Sequence, residues 1–442
     1  MLTLSVGVIV LVGAAALGAS LLGWGSDDTA RSGRDEEAAT TIDGRDDPSD
    51  ADPGDVGDGN VAGKHTKDLT QVAAETTDQF GNPASSGRTW SAKVPGSLTF
   101  RGNPTRTYYG RGDVPKAPKV RWFYPQQGGM CSSSSAKGET KTWCGSGWTG
   151  QPAVFERDGR TWVVFGAYDK AVHFMDGETD EDILPPLPPG DIIKGSVTID
   201  PDGYPLVYTG SRDNYYRVIA IDRGPTAQEL WKLSATDVSP TMWNNDWDGA
   251  GLVLDDFLFE GGENSQFHAV KLNRGYDGAG KVTVAPKLAF NTPSWDQQLI
   301  RDLAGNRANE FSIEDSVSMW GNTVYWANSG GLVMGWDMGP LKTGATPTQT
   351  FRFWTGDDTD ASIVIDEAGF LYVASEYERG NQRAAQVGQL MKLDPRNTTN
   401  PVVWSYADRG TNPAGFWATP ALHDGVVIAP TNGGKVVGLD QE

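Results

Sequence analysis

Short apolar runs recur along the chain from about residue 150, separated by turns rich in Asp, Gly and Asn. The runs are brief and rich in β-branched and aromatic residues, which predicts strands rather than helices. Each unit has a first apolar run and a turn holding Asp or Gly. A second run then ends in a small residue, and a third, after a polar turn, often ends in Asp. The units span 151–176, 196–222, 251–273, 316–337, 362–394 and 420–440. A fourth run carrying Trp or another aromatic follows several of them: ELWKLS (229–234), FRFWTG (351–356) and VVWSYA (402–407).

Four short strands per unit, repeating every 40–60 residues or roughly so, is the signature of propeller blades. The pattern predicts an all-β fold, a β-propeller of six four-stranded blades. The last unit stops at Leu439-Asp440 with no fourth run. Upstream, KVRWFYP (119–125) stands alone, and its Trp122 matches Trp231, Trp354 and Trp404. This N-terminal strand is therefore expected to complete the sixth blade and close the ring, which would hide the sheet edges.

The repeats are assigned to a domain over residues 89–442. Residues 1–25 read MLTLSVGVIVLVGAAALGASLLGWG, with no charged side chain. Such a run is long enough for one transmembrane helix. An uncleaved anchor is expected, a cleaved signal being the alternative. No Cys follows the run, so a lipid anchor is excluded. Residues 26–88 are rich in Asp, Gly, Ser and Thr, and 27–60 hold twelve Asp and Glu against three Arg, a balance of −9. An acidic, disordered tether is expected there. The propeller would then stand on the extracytoplasmic side of the membrane, or be secreted if the leader is cleaved.

A formal net charge of −20 argues against nucleic acid and against docking on anionic lipid. Cys131 and Cys144 lie in a Ser- and Lys-rich loop. Export predicts a disulfide, worth about 3 kcal/mol in the chain-entropy model, with free thiols as the alternative. No His or further Cys lies near enough in sequence to complete a zinc set.

The runs VYTGSRDNYYRVIAID and WANSGGLVMGWD resemble the PQQ-like repeat of quinoprotein dehydrogenases and of the propeller lipoprotein of outer-membrane assembly. The likeness covers about residues 119–440. FRGNPTRTYYG (100–110), GQPAVFERDGRTWVVFGAYD (150–169) and GGENSQFH (261–268) are similar to a group of exported bacterial proteins named for PQQ-like repeats. The resemblance implies a propeller and says little of function. It departs from the dehydrogenases in its six units, in lacking adjacent cysteines, and in offering no match to their catalytic Asp or Ca²⁺ ligands.

Aligning the units places Gly150, Lys194, Asp248, Glu314, Asp360 and Ala418 two residues before each first strand. Innermost strands line a propeller's channel, so these residues are expected to ring one mouth. Three carboxylates and a lysine there could bind a cation, an amine or a hydroxylated ligand. Trp247 and Trp417 add stacking surfaces. An indifferent hydrated mouth is the competing reading.

Asn244, Asp246 and Asp248 fit the front half of a Ca²⁺ loop, but its twelfth position is Asp255 rather than a bidentate Glu, so an ordinary Asx-type turn explains them better. Polar clusters at 262–266 and 356–360 read as ligand-recognising loops or as solvated turns. His65, His173, His268 and His423 have no metal spacing, and no nucleophile elbow, HExxH or phosphate loop is present. The sequence thus points to a binding or scaffold module of the cell envelope, meeting an envelope protein or a small polar ligand. A small PQQ-dependent oxidoreductase is the alternative; no cofactor is expected, with PQQ and Ca²⁺ as the ones to test.

Overall fold

The computed structural model describes residues 78–110, 115–408, 410 and 414–442. The anchor or signal (1–25) and the tether as far as residue 77 lie outside these. The chain divides into two units, 1–60 and 61–442, and only the second contains described residues. Among them no helix is long and apolar enough to cross a membrane.

Six antiparallel sheets follow one another in chain order. Sheet one joins Gly96–Ser97, Ala153–Arg157, Arg160–Ala167, Ala171–Asp176 and Asp182–Leu187. Sheet two holds Thr198–Ile199, Leu206–Gly210, Tyr215–Ala220 and Gln228–Ser234. Sheet three holds Leu252–Leu254, Phe257–Gly261, Gln266–Lys271 and Lys287–Pro293. Sheet four holds Ser318–Trp320, Thr323–Trp326, Leu332–Asp337 and Thr348–Trp354. Sheet five holds Val364–Ile365, Leu371–Ala374, Leu390–Leu393 and Val402–Tyr406. Sheet six has three strands, Ala421–His423, Val426–Pro430 and Val436–Asp440.

Strand alternation explains how they stack. Successive side chains point to opposite faces, so each interior sheet feeds two cores. In sheet two, Val207 and Ile219 pack toward sheet one while Leu206, Tyr208 and Val218 pack toward sheet three. The same division gives a core between sheets three and four around Phe259, Phe267 and Trp326. Further cores lie between four and five and between five and six. This is the face-to-face blade packing of a propeller, and each fully buried Val, Leu or Phe contributes roughly 1.5–3 kcal/mol.

The small residue ending the second strand has a packing reason. A Cβ at Gly166, Gly210 or Gly261 would stand 2.1–2.3 Å from Ile193, Trp247 or Ile313 respectively. Those three residues lead into the next sheet and wedge against the strand end.

The middle of the assembly is filled by the chain itself. Residues 94–109 bond to five of the sheets and, through Arg106, to Ala250 at the entry to sheet three. Pro95 O accepts from Glu156 N, and Leu98 O from Ile199 N. Pro104 O accepts from Met319 N, and Thr105 O from Ile365 N. The Tyr109 hydroxyl accepts from Leu422 N at 3.0 Å. Arg106 is fully buried and donates to Ala250 O at 2.7 Å, Val317 O at 2.6 Å and Phe100 O at 2.8 Å. A girdle of hydroxyls ties neighbouring inner strands: Ser196 to Gln151 N, Ser316 to Ala250 N, Ser362 to Ser316 N and Thr419 to Ser362 N.

Two expectations are corrected. Residues 119–125 form no strand and do not pair with Val436–Asp440. They lie on the far face of sheet one, where Trp122 and Tyr124 cover Phe165, Ala167 and Met175. Trp122 Nε1 donates to Gly177 O at 3.2 Å, and the Tyr124 hydroxyl meets His173 Nδ1 at 2.8 Å. The apolar face they cover explains the placement. No core among the described residues joins sheet six to sheet one, and Val436 is 70% exposed. Residues 78–88, expected in the tether, also pack on the sheets. Phe80 inserts edge-on against Phe257 and Phe259, and Gly81 pairs with Gly321. The aromatic overrides the polar composition around it.

Cys131 and Cys144 face each other across a hairpin of Cys131–Ala136 and Glu139–Cys144 and are disulfide-bonded. Trp143 seats the hairpin on Tyr168 and Ile192.

Candidate functional site

Where the inner strands begin, a cavity of about 690 Å³ opens between sheets one, four, five and six. Four of the six aligned positions line it: Gly150, Glu314, Asp360 and Ala418. Trp417 lines it too, with Trp148, Arg101, Gln151 and Asn432, which the sequence reading passed over. Trp148 had a signal: it precedes Gly150 by two residues, in GSGWTGQPA. Arg101 belongs to the FRGNPTRTYYG segment, whose central position the repeats do not announce.

The two indoles stack with centroids 5.0 Å apart and an interplanar angle of 30°. Carboxylates hold both of them. Trp148 Nε1 donates to Asp248 Oδ2 at 3.3 Å, and Trp417 Nε1 to Asp360 Oδ2 at 3.1 Å. Their backbones are fixed as well: Trp148 N donates to the Tyr168 hydroxyl at 3.0 Å and Trp417 N to Asn432 Oδ1 at 2.9 Å. Through Tyr168, the disulfide hairpin braces this wall. Glu314 accepts from Ser312 Oγ at 2.7 Å. Arg101 donates to Thr419 O at 2.6 Å and lies 5.1 Å over the Tyr109 ring. Burial pushes the Arg101 pKa down, with Tyr109 opposing.

Lys194 and Asp248 sit beneath the cavity rather than in its lining. Lys194 Nζ is buried among three carboxylates, 2.7 Å from Asp248 Oδ2, 2.5 Å from Glu263 Oε1 and 3.3 Å from Asp246 Oδ2. Arg212 Nε bonds Asp246 Oδ2 at 2.6 Å, and Asn244 Nδ2 donates to Glu263 Oε2 at 2.8 Å. Burial pushes Asp246 up to about 6, with Glu263 adding to the rise and Lys194 and Arg212 opposing it. Asp246, Asp248 and Glu263 have carboxylate oxygens close enough to share a metal ion. The Lys194 ammonium stands where such an ion would sit, so the donor set fits an internal cation better than Ca²⁺. Of the Ca²⁺-loop candidates, Asp246 and Asp248 thus fall in this cluster, and Asn244 reaches it through Glu263.

Trp247 is corrected too. It is 1% exposed and packs on Tyr216 and His268, with ring centroids 5.6 and 5.1 Å away. It occupies the wedge position of Ile193 and Ile313, which is a core position in this repeat. His268 beside it is pushed down to about 4 by burial.

The polar loops 262–266 and 356–360 are buried rather than solvated. Glu263 joins the Lys194 cluster. Asp357 accepts from the backbone N–H groups of Glu378 and Arg379. Asp358 lies 3.7 Å from Arg307 and 3.9 Å from Arg379.

No protein-family model matches the chain, and no curated protein matches it. Solved structures do. One is BamB from Moraxella catarrhalis, at 12% identity and a TM-score of 0.41, covering 64% of this chain and 74% of that one. Another is quinohemoprotein alcohol dehydrogenase from Comamonas testosteroni, at 16% identity and a TM-score of 0.47, covering 76% of this chain. The match spans 57% of the dehydrogenase's length. Both are PQQ-like propellers, the relation the repeats suggested.

Proposed function

We propose that this chain is an extracytoplasmic binding module of the cell envelope, held at the membrane by its N-terminal segment, with the six sheets as blades around the 94–109 plug. The cavity at the inner-strand ends carries the reading. Its volume of about 690 Å³ lies in the range of small-ligand sites. Its wall combines an aromatic pair held on both sides with a few convergent polar groups, the usual make-up of such sites. The Cys131–Cys144 bond supports an oxidising compartment.

Catalysis finds less support. Glu314 and Asp360 stand among hydroxyls and indoles, Glu314 accepting from Ser312 Oγ and Asp360 from Trp417 Nε1. PQQ, a planar tricarboxylate, does not fit this lining. Glu314 and Asp360 would repel it, and among the described lining residues the one cation is Arg101, which donates to Thr419 O.

The test has two arms. Cross-linking in intact cells, with a photoreactive residue at the cavity rim, should trap a defined envelope partner or a bound small molecule. Intrinsic tryptophan fluorescence of the purified chain should respond to a ligand library through Trp148 and Trp417. A protein silent in both arms is not a binding module.

A further inference from the structure

We propose that the outer edge of sheet six, the strand Val436–Asp440, takes an extended segment of a second protein as its fourth strand, a segment with two aromatic side chains two residues apart. This goes beyond the cavity. It concerns a strand edge and stands or falls separately from the site above.

Internal repetition carries it. Sheets two to five each end in a fourth strand, and each of those strands sets an aromatic opposite the third: Trp231, Phe290, Phe353 and Trp404. Sheet six has three strands, and among the described residues no strand pairs with the outer edge of Val436–Asp440. Such an edge is a template for a strand from another chain.

Sheet four supplies the comparison. GGLVMGWD (330–337) and GGKVVGLD (433–440) match glycine for glycine, so Val436 corresponds to Val333 and Gly438 to Gly335. In sheet four, Val333 lies opposite Phe353 and Gly335 opposite Phe351. Val333 is fully buried there, whereas Val436 is 70% exposed.

Gly438 shows what kind of strand is wanted. A Cβ at Gly335 would stand 2.9 Å from Phe351 Cβ and 2.7 Å from the Tyr325 ring. Glycine is required at that position because aromatic side chains crowd it. A Cβ at Gly438 would meet only Val426 Cγ1, at 3.6 Å, an ordinary contact, and its backbone is not left-handed. An aromatic laid opposite Gly438, as Phe351 lies opposite Gly335, gives that glycine a reason. Directly opposed side chains share a face, so the second aromatic would cover Val436. Outside the described residues the chain holds one aromatic, Trp24, and so no such pair. Of the described segments, 119–125 is already spent on sheet one. The donor is therefore placed in a second protein.

The test uses the full chain and a fluorescent peptide TQTFRFW, the sequence of strand Thr348–Trp354. The peptide should bind by anisotropy, and with Phe351→Ala and Phe353→Ala in the peptide it should bind at least about tenfold more weakly. In the chain, Gly438→Val fills the slot without a clash, so it should melt with the wild type and weaken the peptide by a similar factor. Val436→Asp, at an exposed site, should do the same. Amide exchange in 436–440 should be fast in the chain alone and slow at least about tenfold with the peptide. Failure of the peptide to bind, equal binding of the alanine peptide, or unchanged binding to both chain variants overturns the proposal. Slow exchange in the chain alone would show that this chain already covers the edge, and a dimer abolished by Gly438→Val would give the edge to a second copy; either also overturns it. None of these outcomes touches the cavity.

Discussion

Trp148 and Trp417 stack at 5.0 Å although they lead into the first and last sheets of the propeller. Among the described residues, sheets six and one share no apolar core, and this pair spans them. Arg101, donating to Thr419 O, and Tyr109, whose hydroxyl accepts from Leu422 N, tie sheet six to the 94–109 segment beside that seam. The wall of the cavity and the closure of the fold are thus partly the same contact.

Trp417→Ala should therefore do two things. It removes a half-buried aromatic and its stacking, a loss of about 1–3 kcal/mol. It should also loosen sheet six before the rest, so hydrogen exchange should rise first in 421–440. Uniform exchange across all six sheets would show that the seam does not depend on this pair.

Arg106 holds the plug. Its donors reach Val317 O, Ala250 O and Phe100 O, and burial lowers its pKa to about 10, with Glu260 and Asp315 opposing. Arg106→Met keeps the volume and leaves three buried carbonyls without these donors. Each orphaned carbonyl costs about 1–3 kcal/mol, so denaturant unfolding should show a loss of at least about 3 kcal/mol. A loss under 1 kcal/mol would mean that the plug is not what gathers the inner strands.

The strands were legible because alternation and turn residues are local signals. The five inter-sheet cores follow from them directly. The plug was not legible, because FRGNPTRTYYG has no apolar periodicity: Asn103, Thr105 and Arg106 are buried by hydrogen bonding to other sheets, which a local pattern does not encode. The same holds for residues 119–125. Trp122 has the composition of a fourth strand, but the face it covers, Phe165 and Met175, is set by tertiary contact. For the site, alignment found Glu314, Asp360 and Trp417. It misplaced Trp247 because wedge and mouth positions are adjacent in sequence. It could not tell that Lys194 would turn inward to meet Asp246 and Glu263, since Glu263 lies in a loop on another strand connection.

Lys194 compensates three carboxylates that would otherwise have Arg212 as their main counter-ion. Lys194→Met should cost about 3–5 kcal/mol at pH 7, the loss expected when a buried charge is left uncompensated. The deficit should shrink toward pH 5 as Asp246, pushed up to about 6, protonates. Wild-type melting should be equal in EDTA and in millimolar Ca²⁺. A rise with Ca²⁺ would restore the metal reading of Asn244, Asp246 and Asp248, because a ligand confined to the folded state stabilises it.

Asp358 gives the pH dependence a sign. Burial pushes its carboxyl up to about 7; Glu378 adds to the rise, and Arg379 and Arg307 oppose it. Between its ordinary value near 3.8 and about 7, the folded protein holds a proton that the unfolded chain has released. The contribution of this group is therefore fully present below about pH 4 and is lost as pH rises toward 7. Asp358→Asn cannot titrate, so its stability between pH 4.5 and 7.5 should fall less than that of the wild type. The expected difference is about 1 kcal/mol or more, one pKa unit being worth about 1.4 kcal/mol. Chemical denaturation at the two pH values measures it. Parallel wild-type and variant profiles would mean that Asp358 stays ionised in the fold, with Arg307 and Arg379 outweighing burial.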